Sequence, residues 1–199
     1  MRSILCLVLV LGAALARDAR TEFESVVARY QEVNTVTGKF EQSICSDEQG
    51  TCTDFAGKFS LARPDKFRFD ISDPLDQVLV GDSSDLWVYF PESSMVRHTP
   101  GMANPFFEIL LNSSTDVFQA ESLTTDDHGV RLTLLPSDSL ASFQRIALQL
   151  TGDHSIAQID MDDGLGNHTK YVLSDVKYNA RIAGRLFKFT PPEGTTIEE

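Results

Sequence analysis

The chain has 199 residues, enough for one domain with a sizeable core, and 42% of them are hydrophobic. Its 29 Asp and Glu outnumber 17 Lys and Arg, for a formal charge of −12. That balance, without a basic stripe, argues against nucleic acid and anionic membrane as partners.

The first residues read as a secretory signal. Arg2 precedes an apolar run from Ile4 to Leu11 and a small-residue ending, Ala14-Leu15-Ala16, too short to anchor in a membrane. Cleavage is expected after Ala16, leaving 17–199 as a single domain. Cys6 lies inside the apolar run, with no lipidation context at the cut, so the mature chain is expected to be soluble and unlipidated. Losing Arg2 takes the basic residues from 17 to 16 and the formal charge from −12 to −13.

Thr21 and Glu24 form a T-x-x-E capping box, and Phe23, Val26, Val27, Tyr30 and Val33 follow at helical spacing. This predicts an amphipathic helix with Glu22, Glu24, Arg29 and Glu32 turned to water. From Thr37 the period changes to two. Strands are predicted at 38–44, 55–62, 67–72, 77–81, 86–90 and 95–99, a meandering antiparallel sheet and not βαβ units.

Two cysteines remain after export, Cys45 and Cys52, flanking the turn-like SDEQGT. An even pair in an exported chain reads as a disulfide, here across a hairpin tip. C-x6-C is not a redox spacing, and two cysteines alone make a poor zinc site.

The stretch GKFSLARPDKFRFD, 57–70, is the most telling. Phe59, Leu61 and Arg63 share one face, and Phe67, Phe69 and Ile71 share one after Pro64. A guanidinium beside an apolar wall is costly unless carbonyls or an anion accept its donors.

After Pro100 and Gly101, Asn104 and Pro105 read as N-cap and first position of a short, almost wholly apolar helix, FFEILLN. So short a helix must lie against an apolar surface. Alternation resumes at 117–123, 130–135, 143–150, 157–161, 169–178 and 186–190. Several of these strands are apolar on one face, as with Val130, Leu132 and Leu134 or Ile146, Leu148 and Leu150. A long curved sheet with one such face needs a cover, and the two helices are the candidates.

No catalytic or metal constellation emerges. His98, His128, His154 and His168 are scattered without ligand spacing, and there is no G-x-S-x-G elbow. Asp160, Asp162, Asp163 and Gly164 lack the closing glutamate of a calcium loop and read as a hairpin turn. Asn112 and Asn167 stand in N-x-S and N-x-T sequons. No cofactor is expected and no enzyme activity.

The signal segment, the first helix, RPDKFRFD, QVLVGDSSDLWVYFP, NPFFEILLN and LFKFTPPEGTTIEE, in this order, resemble the LolA family, periplasmic carriers of outer-membrane lipoproteins. The R-P-x-x-F segment, the L-W-x-Y strand and the F-x-F-x-P-P-x-G ending are the specific parts. The resemblance implies a mainly β fold with α-helices: an unclosed antiparallel half-barrel of about 11 strands, with a lid of short helices over a hydrophobic cavity. It implies a carrier, expected to be a monomer, that accepts lipoproteins from an inner-membrane ABC transporter and passes their acyl chains to an outer-membrane receptor. The family arginine that latches the lid matches Arg63, and the family phenylalanine involved in handing cargo on matches Phe67. The expected acyl cavity is lined by Phe59, Leu61, Phe67, Phe69, Trp87, Phe106 and Leu110. Family members usually carry Asp-Gly before L-W-x-Y, where this chain has Asp82 and Ser83, which leaves the local register open. The alternative is a periplasmic module that senses lipoproteins, or binds hydrophobic ligands generally, without transport.

Overall fold

The computed structural model describes residues 18–82, 84–100, 105–127, 129–136 and 143–198. The signal segment and its cut after Ala16, Ser83, Asn104 and His128 lie outside the described residues.

Helix α1 spans Ala19–Gln31. Its N-cap is Asp18, whose Oδ1 accepts from the Thr21 N–H at 2.7 Å, so the helix starts a turn before the T-x-x-E box. A carboxylate at that position also suits the positive end of the helix dipole, and Glu24 accepts from Arg20 instead, at 3.0 Å. Phe23, Val26 and Tyr30 are buried as their spacing predicts. Glu22 is not turned to water: it is 3% exposed, and its Oε1 lies 2.6 Å from His154 Nδ1. It shares the covered stripe with Val26 one turn on, where only a partnered charge is tolerated.

Strands β1 (Thr35–Ser46), β2 (Thr51–Ala62), β3 (Lys66–Asp73), β4 (Gln77–Gly81), β5 (Asp85–Phe90) and β6 (Met95–Pro100) form one antiparallel meander. Helix α2 (Pro105–Leu111) follows. A second meander then runs through β7 (Phe118–Asp126), β8 (Gly129–Pro136), β9 (Arg145–Leu150), β10 (Ile156–Asp162) and β11 (Asn167–Tyr178). The two meanders join where β11 pairs antiparallel with β1, giving one sheet in the order β12-β6-β5-β4-β3-β2-β1-β11-β10-β9-β8-β7. Among the described residues its end strands do not pair with each other, so the sheet stays an open half-barrel.

Strand β12 (Thr196–Glu198) is a short parallel addition to β6 that the alternation did not indicate. The expected strand at 186–190 is corrected. Gly184–Phe187 is a 3-10 turn lying against β3, with Arg68 Nη1 donating to the Leu186 carbonyl at 3.4 Å. Phe189, just beyond this turn, packs on Trp87 and Tyr89 instead of joining the ladder. Among the described residues the sheet therefore has twelve strands where about 11 were expected.

Cys45 and Cys52 face each other in the β1–β2 register and are disulfide-bonded. At 163–166 the chain turns between β10 and β11. Gly164 (φ +70°) and Gly166 (φ +89°) supply its left-handed positions, and Asp163 Oδ1 accepts from the Leu165 N–H at 2.8 Å.

Register assigns the two faces. Gly38 pairs with Phe59, Phe59 with Phe69, Phe69 with Leu79 and Leu79 with Val88. This row and the next, Val36–Leu61–Phe67–Gly81–Leu86, lie on the inner face under the helices. Gly38 is needed there, because a Cβ would stand 2.8 Å from the Phe59 ring. The outer face carries a smaller apolar layer of its own, in which Val80 and Val96 are buried and Phe189 packs on Trp87 and Tyr89.

Candidate functional site

The inner face of the sheet meets α2 in an aromatic cluster. The Phe106 ring stands 5.1 Å from Phe59, 5.4 Å from Phe69 and 4.9 Å from Tyr171, centroid to centroid. Phe40 continues the cluster at 5.6 Å from Phe69, and Phe67 at 6.3 Å. These separations are those of rings in contact, so the chain's own side chains fill this part of the interior in the conformation described. Phe59, Leu61, Phe67, Phe69, Phe106 and Leu110, all expected to line a cavity, are thus brought together, and each is buried. Helix α2 owes its form to this: seven residues do not hold a helix alone, but Phe106, Phe107, Ile109, Leu110 and Leu111 are all buried.

Trp87 is corrected. It pairs with Val80 and His98, putting it on the outer face, where its ring stacks on His98 at 4.1 Å and packs on Phe189 at 5.8 Å. Its neighbours Leu86 and Val88 take the inner positions. Since β5 is apolar on both sides, alternation alone did not say which residues point in.

Two members of the cluster escaped the sequence reading. Phe40 shares its face with Gly38 and Gln42, so its strand shows no apolar stripe to mark it. Tyr171 was visible only as part of a general apolar face. Burial pushes its phenol up to about 12, despite the opposing hydrogen bond with Gln42.

Arg63 follows the last residue of β2 and reaches up to both helices. Its Nε donates to the Val33 carbonyl at 2.8 Å, Nη2 to the Tyr30 carbonyl at 3.3 Å, and Nη1 to Asn112 Oδ1 at 3.3 Å. The Tyr30 carbonyl, in the last turn of α1, is suited to a cation because it lies at the negative end of the helix dipole; Val33 follows just past the C-cap. Here the guanidinium donors anticipated from sequence find acceptors, and one side chain ties sheet, α1 and the end of α2.

The outer face offers different chemistry. Grooves of about 500 Å³ and 590 Å³ open there, the first lined in part by Glu41, Ser43, Asp54 and Lys170, the second by Lys39, Lys58, Asp175 and Lys177. The charged side chains in both linings suit a hydrocarbon chain less well than the wholly apolar cluster under α2, so the apolar candidate site is the inner face.

A family model described as "Outer membrane lipoprotein carrier protein LolA" matches residues 31–190. An outer-membrane lipoprotein carrier protein from Halorhodospira halophila is 30% identical over 203 residues, covering 100% of this chain and 95% of that one. One of the same description from Alkalilimnicola ehrlichii is 27% identical, over 98% and 91%. Among solved structures, an uncharacterized conserved protein from Thermus thermophilus matches with TM-score 0.56 at 11% identity, over 90% of this chain and 98% of that one. A LolA superfamily protein from Nitrosomonas europaea matches with TM-score 0.52 at 13% identity, over 87% and 99%. At such identities the structures speak for the fold.

Proposed function

The chain belongs to the LolA family of outer-membrane lipoprotein carriers, and from that premise we propose that the aromatic floor under α2 receives the acyl chains of its cargo. It is a periplasmic lipoprotein carrier and not an enzyme. Its partners are lipoproteins and the machinery that sorts them. We assign loading to an inner-membrane ABC transporter and delivery to an outer-membrane receptor.

The energetics support a floor that is covered at rest. Burying a palmitoyl-length chain is worth about 12 kcal/mol, at about 0.8 kcal/mol per methylene. The ring contacts Phe106 gives up contribute about 0.5–1.5 kcal/mol each beyond their area. Cargo can therefore displace the helix, while closure of the helix favours giving cargo back. Arg63 sets that balance, with hydrogen bonds from a charged donor of about 1.5–3 kcal/mol each. Phe67, buried at the edge of the cluster, is assigned to the hand-over path.

The observation that carries this reading is Arg63 joining three elements above a buried aromatic cluster. Arg63→Leu removes the closing force and leaves the floor. The variant is expected to fold and load a triacylated lipoprotein, but to transfer it to acceptor membranes at least several-fold more slowly. Transfer at the unaltered rate would refute the latch.

A further inference from the structure

Arg63 shares its donors unequally between the helices. Two go to main-chain carbonyls at and just past the end of α1, Tyr30 and Val33, and one goes to the side chain of Asn112, the residue after α2. The rest of α1 is bonded into the sheet. Tyr30 Oη accepts from the Ile156 N–H at 3.1 Å and lies 3.0 Å from Tyr178 Oη. Asn179 Nδ2 donates to the Glu32 carbonyl at 3.2 Å, and the Asn34 N–H donates to Asn179 Oδ1 at 2.7 Å. The buried Glu22 meets His154 at the turn before β10. Lifting α1 would break ties to β10, β11 and the turn between β9 and β10.

Helix α2 is seated differently. It presents apolar side chains to the floor, and it meets the arginine through Asn112. Asn112 Nδ2 donates to Glu108 Oε1 at 3.3 Å, one turn back along the helix. That bond decides which end of the amide faces out: with the NH2 committed to Glu108, the carbonyl oxygen is left for Arg63. The helix also lies in the connection between β6 and β7, so moving it breaks no strand pairing.

We propose that α1 is part of a fixed frame with the sheet, that α2 alone is the moving cover, and that Asn112, oriented by Glu108, is the catch on which Arg63 closes. Asn112 is a positioning residue: it touches no cargo and acts through the arginine. This deepens, and rests on, the carrier reading, since a catch matters only if something is admitted beneath it.

The test is amide hydrogen exchange on the purified mature chain, followed by mass spectrometry in peptides covering 19–31 and 105–111. Asn112→Ala is expected to speed exchange in 105–111 by about tenfold or more, as fits the loss of one hydrogen bond from a charged donor, and to leave 19–31 unchanged. With Arg63→Leu already present, adding Asn112→Ala should change nothing further. Asn112→Asp keeps an acceptor for Arg63 but sets a second carboxylate beside Glu108, so it is combined with Glu108→Gln, whose amide can donate to it; that pair should restore the protection of the unaltered chain. An equal rise in both helices, or the same Asn112→Ala effect with and without Arg63, would overturn the proposal. Binding of a dansyl-labelled fatty acid, measured in parallel, tests the carrier reading separately. Asn112→Ala should tighten it several-fold, because more of the protein is open; no binding by the unaltered chain would sink the carrier reading, while exchange still decides the catch.

Discussion

Trp87, the chain's one tryptophan, stacks on His98 on the side of the sheet away from the helices. An acyl chain held on the inner floor lies across the sheet from it. A brominated fatty acid that binds should therefore leave most tryptophan emission intact, and strong quenching would move the acyl site to the outer face. Tyr171 sits on the floor itself. With its folded pKa raised by burial to about 12, from an ordinary 10, its contribution to stability is complete below pH 10 and is lost as pH rises through 12. Burial raises Tyr30 in the same direction. Absorbance at 295 nm should show these two phenols ionising late, together with unfolding in that window; early, uncoupled ionisation of all four tyrosines would contradict their burial. Arg63 was legible from sequence because charge beside an apolar run demands partners. Asn112 was not: a polar residue after a short helix looks like an ordinary cap until the arginine is placed beside it.

Among the elements, those with a clean period were predictable. All eleven predicted strands in the two meanders, from Gly38 to Tyr178, fall at observed strands to within a few residues, and 67–72, 77–81 and 86–90 coincide or nearly coincide with β3, β4 and β5. Failures came where the pattern was right but its cause differed. Phe187 and Phe189 alternate with Lys188 and Thr190, but Phe187 closes a 3-10 turn and Phe189 packs on Trp87 and Tyr89, so neither joins the ladder. Thr196–Glu198 pairs without being apolar enough to announce it. The β1–β2 hairpin carries a prediction of its own. The Cys45–Cys52 bond closes a short loop, which on the chain-entropy account stabilises by about 2.5 kcal/mol. Reduction should lower the denaturation midpoint accordingly, read by circular dichroism in urea with and without reductant, while fatty-acid affinity stays the same because the inner cluster lies further along the sheet. A large loss of affinity on reduction would mean that the hairpin tip shapes the floor.

For the whole molecule, an open sheet whose inner face carries the apolar cluster makes cargo binding and folding one linked equilibrium. Only the folded chain has an inner face, so a triacylated lipopeptide at a hundredfold excess over its Kd should add about 2.7 kcal/mol to unfolding free energy. The corresponding rise in Tm, measured by calorimetry, should vanish for a lipopeptide stripped of its acyl chains. An equal rise with the stripped peptide would show that protein contacts carry the binding.

The connection that bears α2 starts at β6 and ends at β7, on opposite flanks of a sheet whose margins never join. It is therefore a strap across the mouth as well as a cover. Uncoiling its seven helical residues, from about 1.5 Å to about 3.3 Å of rise each, would pay out roughly 13 Å of slack. How wide the two flanks can gape, and so how bulky a lipid bouquet they admit, is limited by whether that one short coil stays wound.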